Sequence, residues 1–163
     1  RSGLPLKMAG KLDFENQEFF EREVVPHIDG NQIEFLGEAD HVMKNELMGR
    51  AVATLFPITW REPFGLVMAE SMASGTPVIA MALGSAPEVI ADGKSGFLCQ
   101  NVDECVAAVA RLGDLDRHVC RAYVEANFSV QRMVDGYEAV YQQVMSQRFA
   151  QNGHIQSPVL LAS

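Results

Sequence analysis

The sequence has 163 residues, of which 48% are hydrophobic and 21% charged, and its formal net charge is -8. A chain of about 150 residues buries about 70% of its unfolded surface, which is enough for one full core, and this composition excludes a disordered or fibrous protein. The acidic charge, without any cluster of Lys or Arg, argues against nucleic acid as a partner.

Short apolar runs alternate with amphipathic stretches along the chain, a pattern typical of the α/β class with a Rossmann-like, doubly wound parallel sheet. The predicted strands are, in chain order, Leu4–Ala9, Ile33–Leu36, Ala53–Phe56, Val78–Ala80 and Gly96–Leu98. The predicted helices are Glu15–Pro26, Asp40–Arg50, Phe64–Ser74, Pro87–Ala91, Val102–Leu112, Leu115–Asn127 and Val130–Arg148. Several helices begin with Asp, Glu or Pro, and glycine-containing turns separate the elements.

This order of elements predicts one domain over residues 1–149 and a tail without periodicity over residues 150–163, either mobile or docked on another segment. No apolar run reaches membrane-spanning length, and we expect a cytoplasmic protein. The three cysteines, Cys99, Cys105 and Cys120, have no Cys-x-x-Cys spacing, which favours reduced thiols used as small core residues. The four histidines are scattered, so we predict no metal site. Because the chain begins at Arg1, we expect a fragment of a longer protein.

The segment between the third and fourth predicted strands is best suited to chemistry, because open α/β sheets bind ligands at the carboxyl ends of their strands. A helix is predicted to begin near Phe64, and its first amides, which lack intrahelical partners, favour an anion. Gly65 would let a phosphate approach the backbone, and a side chain there is expected to obstruct the phosphate without breaking the helix. Glu62 precedes the helix, and at about 1.5 Å per residue Glu70 lies roughly 10 Å from the helix start.

Two carboxylates at this separation cannot act together on one atom, but they suit the two hydroxyl-bearing ends of a molecule with a diphosphate in its middle. A nucleoside diphosphate sugar has this form. The spacing alone favours a helix-start charge for Glu62 and a buried or paired carboxylate for Glu70 over a ligand role, and only the surrounding sequence reverses this preference.

A longer run of motifs surrounds this pair of glutamates. In chain order the motifs are Phe35-Leu36-Gly37, Glu62-Pro63-Phe64-Gly65-Leu66, Glu70, Ala73-Ser74-Gly75-Thr76-Pro77-Val78-Ile79-Ala80, Gly84-Ser85-Ala86-Pro87-Glu88-Val89-Ile90 and Asp92-Gly93-Lys94-Ser95-Gly96-Phe97-Leu98. From Leu4 to Val144 the sequence resembles the carboxy-terminal, donor-binding domain of retaining glycosyltransferase family 4 (group 1), with its Glu-x7-Glu signature. The resemblance implies the carboxy-terminal half of a GT-B fold, in which the active site lies in a cleft between two Rossmann-like domains.

The resemblance also implies roles for individual residues. Glu62 would be the catalytic residue and bind hydroxyls of the donor sugar, and Glu70 would bind the ribose hydroxyls. The backbone amides implied to hold the diphosphate or the sugar are those of Phe64, Gly65, Leu66 and Val67. Gly37 and Glu38 would hold the base through backbone contacts. Lys11 is the nearest candidate for a diphosphate contact, since the Arg and Lys that usually serve this purpose belong to a segment before the first predicted strand.

By the same resemblance, the donor is a UDP-sugar, with UDP-glucose favoured by family frequency, and a hexose passes to an acceptor hydroxyl with retention of configuration. No metal or cofactor is implied. The partners would be the nucleotide-sugar donor and an amino-terminal acceptor domain, with membrane contact only for a lipid-linked acceptor. We expect this chain alone to bind donor without transferring the sugar. The alternatives are a non-catalytic nucleotide-binding or regulatory module, against which the intact Glu62 and Glu70 pair weighs, and a sugar-nucleotide epimerase of the same fold, which lacks this segment.

Overall fold

A computed structural model of the chain describes residues 1–152 and divides into two compact units, the first comprising Arg1–Val124 and the second beginning at Glu125. The predicted domain over residues 1–149 therefore extends across both units. The last helix continues to Asn152, so the first three residues of the predicted tail are helical. The rest of that tail lies outside the described residues.

The first unit contains five short parallel strands, as the α/β pattern predicts. They are β1 (Leu6–Met8), β2 (Ile33–Phe35), β3 (Thr54–Phe56), β4 (Val78–Met81) and β5 (Gly96–Cys99). β1 pairs with β2, and β4 pairs with β3 on one side and β5 on the other, each pair in parallel register. Within the described part of the chain no ladder joins these two sheets, where the sequence predicted a single sheet. The parallel α/β class is confirmed.

Within residues 1–152, six regular α-helices, an irregular helical segment and a short 3₁₀ helix (Leu112–Asp114) connect and follow the strands. The helices are α2 (His41–Arg50), α3 (Leu66–Ala73), α4 (Ala86–Val89), α5 (Val102–Ala110), α6 (Arg117–Asn127) and α7 (Val130–Asn152). A single helix was predicted over Glu15–Pro26, but within residues 14–27 only α1 (Gln17–Phe19) is α-helical, between 3₁₀ and π turns. Pro26 lies in its last turn, where the missing amide hydrogen prevents regular α-helical bonding.

The core of the first unit is built around α3 and β4. Met68 and Met72, one turn apart on α3, are fully buried, as are Val78 and Ile79 on β4. Full burial of such a side chain contributes about 1.5–3 kcal/mol, so this contact holds α3 firmly against the sheet. Ser71, on the same buried face, donates its hydroxyl hydrogen bond to the carbonyl of Thr76 at 2.9 Å. The positions of the residues at the start of α3 and of Glu70 within it follow from this packing.

The second unit contains the end of α6 and the long helix α7. Tyr137 and Tyr141, one turn apart on α7, have ring centroids 6.1 Å apart and are both exposed. In the part of the chain that the structure describes, α7 and the other helices are too short or too polar to cross a membrane.

Candidate functional site

The helix that carries the site begins at Leu66, two residues later than predicted, because Gly65 caps it in a left-handed conformation with φ of 73°. A Cβ atom on Gly65 would lie 2.7 Å from Cε of Met68 and 3.1 Å from Cζ of Phe56. Left-handed backbone disfavours any side chain, and a Cβ atom at this position would require the Met68 side chain to shift. The expectation that the helix would tolerate a side chain at this position is therefore wrong.

The first turn of α3 retains unpaired amides, as the sequence predicted. The carbonyl of Gly65 accepts a hydrogen bond from the amide of Met68 at 2.9 Å. Among residues 1–152, no acceptor is bonded to the amides of Leu66 and Val67. Of the four predicted amide donors, these two belong to the helix, whereas Phe64 and Gly65 precede it. The positive end of the helix dipole is thus available at Leu66 and Val67.

Glu62 lies in the loop after β3 and is half-buried. Its carboxylate oxygen Oε2 accepts a hydrogen bond from the indole nitrogen of Trp60 at 3.1 Å. No other bond engages this carboxylate within the described residues. Glu62 therefore keeps a second carboxylate oxygen available for a ligand.

The loop after β4 packs closely against the backbone of Glu62. Gly84 has φ of 56°, and a Cβ atom there would lie 2.6 Å from the amide nitrogen of Glu62 and 2.7 Å from its carbonyl oxygen. The buried Ser85 donates its amide hydrogen to the Glu62 carbonyl at 3.0 Å and its hydroxyl hydrogen to the Phe64 carbonyl at 2.9 Å. These two contacts fix the loop that presents Glu62.

Glu70 lies on α3 with its side chain 39% exposed. Its Oε1 atom lies 2.5 Å from the Nζ atom of Lys44, a residue of α2. The prediction left open a paired carboxylate or a ligand group, and the structure shows that one oxygen is paired. The other accepts no hydrogen bond from the described part of the protein.

The proposed base-binding residues and Lys11 lie at the other sheet. The amide of Gly10, just after β1, donates to the carbonyl of Gly37 at 2.9 Å, which brings the segments following β1 and β2 together. Lys11 is largely exposed, with Nζ 3.7 Å from a carboxylate oxygen of Asp13, and Glu38 is exposed. Among the described residues, no hydrogen bond or ion pair joins this group to Glu62 or Glu70.

Three residues at the site were not assigned by sequence reasoning: Lys44, Trp60 and Ser85. Ser85 belongs to a motif that the sequence singled out, and Trp60 lies two residues before Glu62, so both had a local signal. Lys44 is 26 residues from Glu70, and no local signal in the sequence pointed to it.

The cysteines are free thiols, as predicted, and Cys99 and Cys120 are buried. Burial raises the pKa of Cys99 to about 12, with a further contribution from neighbouring Cys105. Burial likewise raises the pKa of Cys120 to about 11, against the opposing charge of Arg117. Neither thiol is suited to nucleophilic chemistry at neutral pH. Within residues 1–152 no three His, Cys, Asp or Glu residues are grouped as metal ligands.

The segment that follows β3 carries the unpaired amides of α3 and two glutamates, each with one carboxylate oxygen bonded to the protein. Open parallel α/β sheets bind small molecules at the carboxyl ends of their strands, and these features define a small-molecule binding domain of the Rossmann-like class. The family described as glycosyl transferases group 1 matches residues 2–127. The chain therefore belongs to the group 1 glycosyl transferases, and the family resemblance drawn from the sequence is confirmed. Its assignment to family 4 by number stays a prediction.

Known proteins of several kinds are similar to this chain. N-acetyl-alpha-D-glucosaminyl L-malate synthase from Bacillus anthracis is 34% identical over 137 residues, which cover 79% of this chain and 34% of that protein. Phosphatidyl-myo-inositol mannosyltransferase from Mycobacterium leprae is 36% identical over 114 residues, covering 69% of this chain and 30% of that protein. The chain thus spans about a third of the length of these relatives.

Solved structures show the same fold. Sucrose-phosphate synthase from Thermosynechococcus elongatus superposes with a TM-score of 0.71 at 25% identity, covering 87% of this chain and 39% of that one. HepE from Anabaena, in complex with UDP and glucose, superposes with a TM-score of 0.68 at 21% identity, covering 89% and 42%. The Rossmann-like fold expected for the carboxy-terminal half of a GT-B protein is confirmed.

Proposed function

We propose that this chain is the donor-binding domain of a retaining glycosyltransferase and that it binds a UDP-sugar. The observation that carries the proposal is the arrangement of Glu62 and Glu70 on either side of the unpaired amides of Leu66 and Val67. Each glutamate has one carboxylate oxygen held by a protein donor and one without a protein bond in the described residues. Membership of the group 1 glycosyl transferases and the fold shared with the UDP complex of HepE support the proposal.

In this proposal the start of α3 binds the diphosphate. Backbone amides and the helix dipole supply positive potential there without a basic patch, which suits a chain of net charge -8. The same amides would stabilise the departing diphosphate during transfer, and fixed donors of this kind are usually the largest single contribution to catalysis. We therefore expect donor binding to require no metal and to survive EDTA.

The two glutamates then bind the ends of the donor. Glu70 lies within the helix and would bind the ribose hydroxyls, and Glu62, in the loop before it, would bind the hydroxyls of the hexose, with glucose as the first candidate. Gly37 and Glu38 remain candidates for the base, and Lys11 for the diphosphate. An acceptor hydroxyl would receive the hexose with retention of configuration.

The remaining parts of the proposal concern the longer protein. An amino-terminal domain would position the acceptor, and membrane contact is expected only for a lipid-linked acceptor in a cytoplasmic enzyme. We expect the 163-residue chain to bind UDP without transferring sugar, because acceptor positioning accounts for a large share of the rate.

Calorimetric titration of the 163-residue chain with UDP and UDP-glucose tests the proposal. Glu70→Ala should weaken UDP binding roughly ten- to a hundredfold, since a hydrogen bond to a charged group is worth about 1.5–3 kcal/mol. Glu62→Ala should spare UDP binding and reduce the preference for UDP-glucose over UDP. Glu46→Ala, which alters an exposed glutamate paired with Arg50 on α2, is the matched control and should change neither affinity.

Unchanged UDP affinity in Glu70→Ala would remove this residue from the ribose. Equal losses of UDP and UDP-glucose in Glu62→Ala would contradict its role at the sugar. A strict Mg²⁺ requirement for binding would contradict the model of a metal-free diphosphate site.

A further inference from the structure

The ion pair between Lys44 and Glu70 differs from the other ion pairs in the described part of the chain. The Lys44 side chain is 25% exposed, whereas the Lys and Arg side chains of the other pairs are at least 49% exposed. Exposed pairs are screened by water and salt and hold neither partner firmly. The partial burial of Lys44, with its Nζ atom 2.5 Å from the carboxylate, gives Glu70 a defined orientation.

The helix that carries Lys44 is itself fixed at both ends. At its start, the side chain of Asp40 accepts a hydrogen bond from the amide of Met43 at 2.8 Å. At its end, the guanidinium of Arg117 donates to the carbonyls of Gly49 at 2.9 Å and Ala51 at 2.7 Å. Both sets of bonds satisfy backbone N–H and C=O groups that have no intrahelical partner at the ends of a helix.

The same end of α2 is bonded to the turn that follows α3. The hydroxyl of Thr76 donates to the carbonyl of Met48 at 2.5 Å and accepts from Arg117 at 2.6 Å. Thr76 is fully buried. Because Thr76 lies only three residues after the end of α3, α2 cannot shift along α3 without breaking these bonds, and Lys44 stays in register with Glu70.

We propose that Lys44 is a positioning residue for Glu70: by holding Oε1 it leaves Oε2 directed to a pair of ligand hydroxyls. This inference rests on the proposed function, in which those hydroxyls belong to the ribose of the donor. Oε2 has no protein partner in residues 1–152, so the arrangement reserves one oxygen for the ligand. Pre-organisation of this kind lowers the entropic cost of binding.

The test compares two ligands of equal charge, UDP and 2′,3′-dideoxy-UDP, titrated into the 163-residue chain. The ratio of their affinities measures recognition of the ribose hydroxyls, and long-range charge effects cancel in it. Lys44→Met should lower this ratio by about three- to tenfold, which corresponds to the orientation of one charged hydrogen-bonding group. Lys44→Arg, which keeps a cationic donor, should retain most of the ratio.

Arg50→Met is the matched control, because it removes an exposed cation from the same helix and should leave the ratio unchanged. Thermal unfolding of each variant checks the fold, and Lys44→Gln, which keeps a polar donor but no charge, provides a second variant should Lys44→Met unfold. It should lower the ratio as well.

The two proposals fail in distinguishable ways. If the unaltered chain binds both ligands equally, the ribose role of Glu70 fails, and with it the inference. If Glu70→Ala abolishes the ratio but Lys44→Met and Lys44→Gln keep it, the proposed function stands and the inference about Lys44 is wrong.

Discussion

The hydroxyl of Ser85 donates a hydrogen bond to the backbone carbonyl of Phe64 at 2.9 Å, and this bond joins the loop after β4 to the residue that precedes the cap of α3. The amide of Ser85 reaches the carbonyl of Glu62 in the same loop. One small buried residue therefore fixes both sides of the segment that presents the catalytic candidate and the helix start.

Ser85→Ala should lower donor affinity through this loop. Loss of one buried hydrogen bond costs about 0.5–1.5 kcal/mol of stability, and the loosened loop should also weaken UDP-glucose binding. Ser74→Ala, which removes a hydroxyl that donates to the carbonyl of Glu70 at 3.1 Å, is the control. Calorimetry should show a loss of affinity in Ser85→Ala only. Identical affinities in the two variants would show that the Ser85 bond does not matter for the ligand.

Gly65→Ala should destabilise the fold as well as reduce binding. Gly93→Ala is the matched control, since Gly93 has φ of 72° but open space around its Cβ position. The left-handed conformation alone should cost about 1–2 kcal/mol in the control. The contact with Met68 should add about 1–3 kcal/mol in Gly65→Ala. Urea unfolding measures both, and equal losses would mean that the crowding at Gly65 relaxes without cost.

Trp60→Phe should reduce discrimination between UDP-glucose and UDP without changing affinity for UDP itself. The substitution keeps an aromatic ring but removes the N–H group that donates to Glu62 at 3.1 Å. Because Trp60 is 60% exposed, this bond competes with water, and we expect a change of only about two- to fivefold in the affinity ratio. A parallel loss of UDP affinity would indicate that Trp60 acts on the helix start rather than on Glu62.

Cys105 should react with iodoacetamide at pH 8 well before Cys99 and Cys120. Burial raises the pKa of Cys99 to about 12 and that of Cys120 to about 11, so both thiols stay protonated and shielded. Cys105 is only partly buried. Mass spectrometry of timed samples measures the order, and labelling of Cys120 as fast as Cys105 would contradict the burial argument.

The same pKa shifts set the sign of a pH effect. A thiol whose pKa is raised in the folded state stabilises that state fully below its unfolded value, about 8.5, and less as the pH rises above it. The free energy of unfolding should therefore fall between about pH 8.5 and the folded pKa of Cys99, about 12, and less steeply in Cys120→Ala. An equal fall in that variant would exclude Cys120 as a cause.

Much of the fold followed from local patterns in the sequence. The five strands lie within two residues of their predicted bounds, because short apolar runs between turn residues are read directly from neighbouring positions. The motifs around Glu62 and Glu70 likewise lie within one continuous stretch, which was enough to predict the family and the candidate ligand groups. The irregular helical segment over residues 14–27 was not anticipated, since its apolar spacing suited a regular helix.

Tertiary packing decided how the site is held. From the sequence, Gly65 was explained by the approach of a phosphate, but the structure shows in addition a left-handed conformation there and a Cβ position only 2.7 Å from Cε of the buried Met68. The bond from Ser85 to Phe64 joins residues 21 apart, and that from Lys44 to Glu70 joins residues 26 apart. Neither spacing along the chain identifies the two residues as hydrogen-bond partners. Glu70 was therefore recognisable from the sequence, but its partner Lys44 became apparent only from the contact between α2 and α3. The physical reason is that an ion pair depends on the distance between two charges in space, whereas the preference for a helix or a strand depends on residues that are neighbours along the chain.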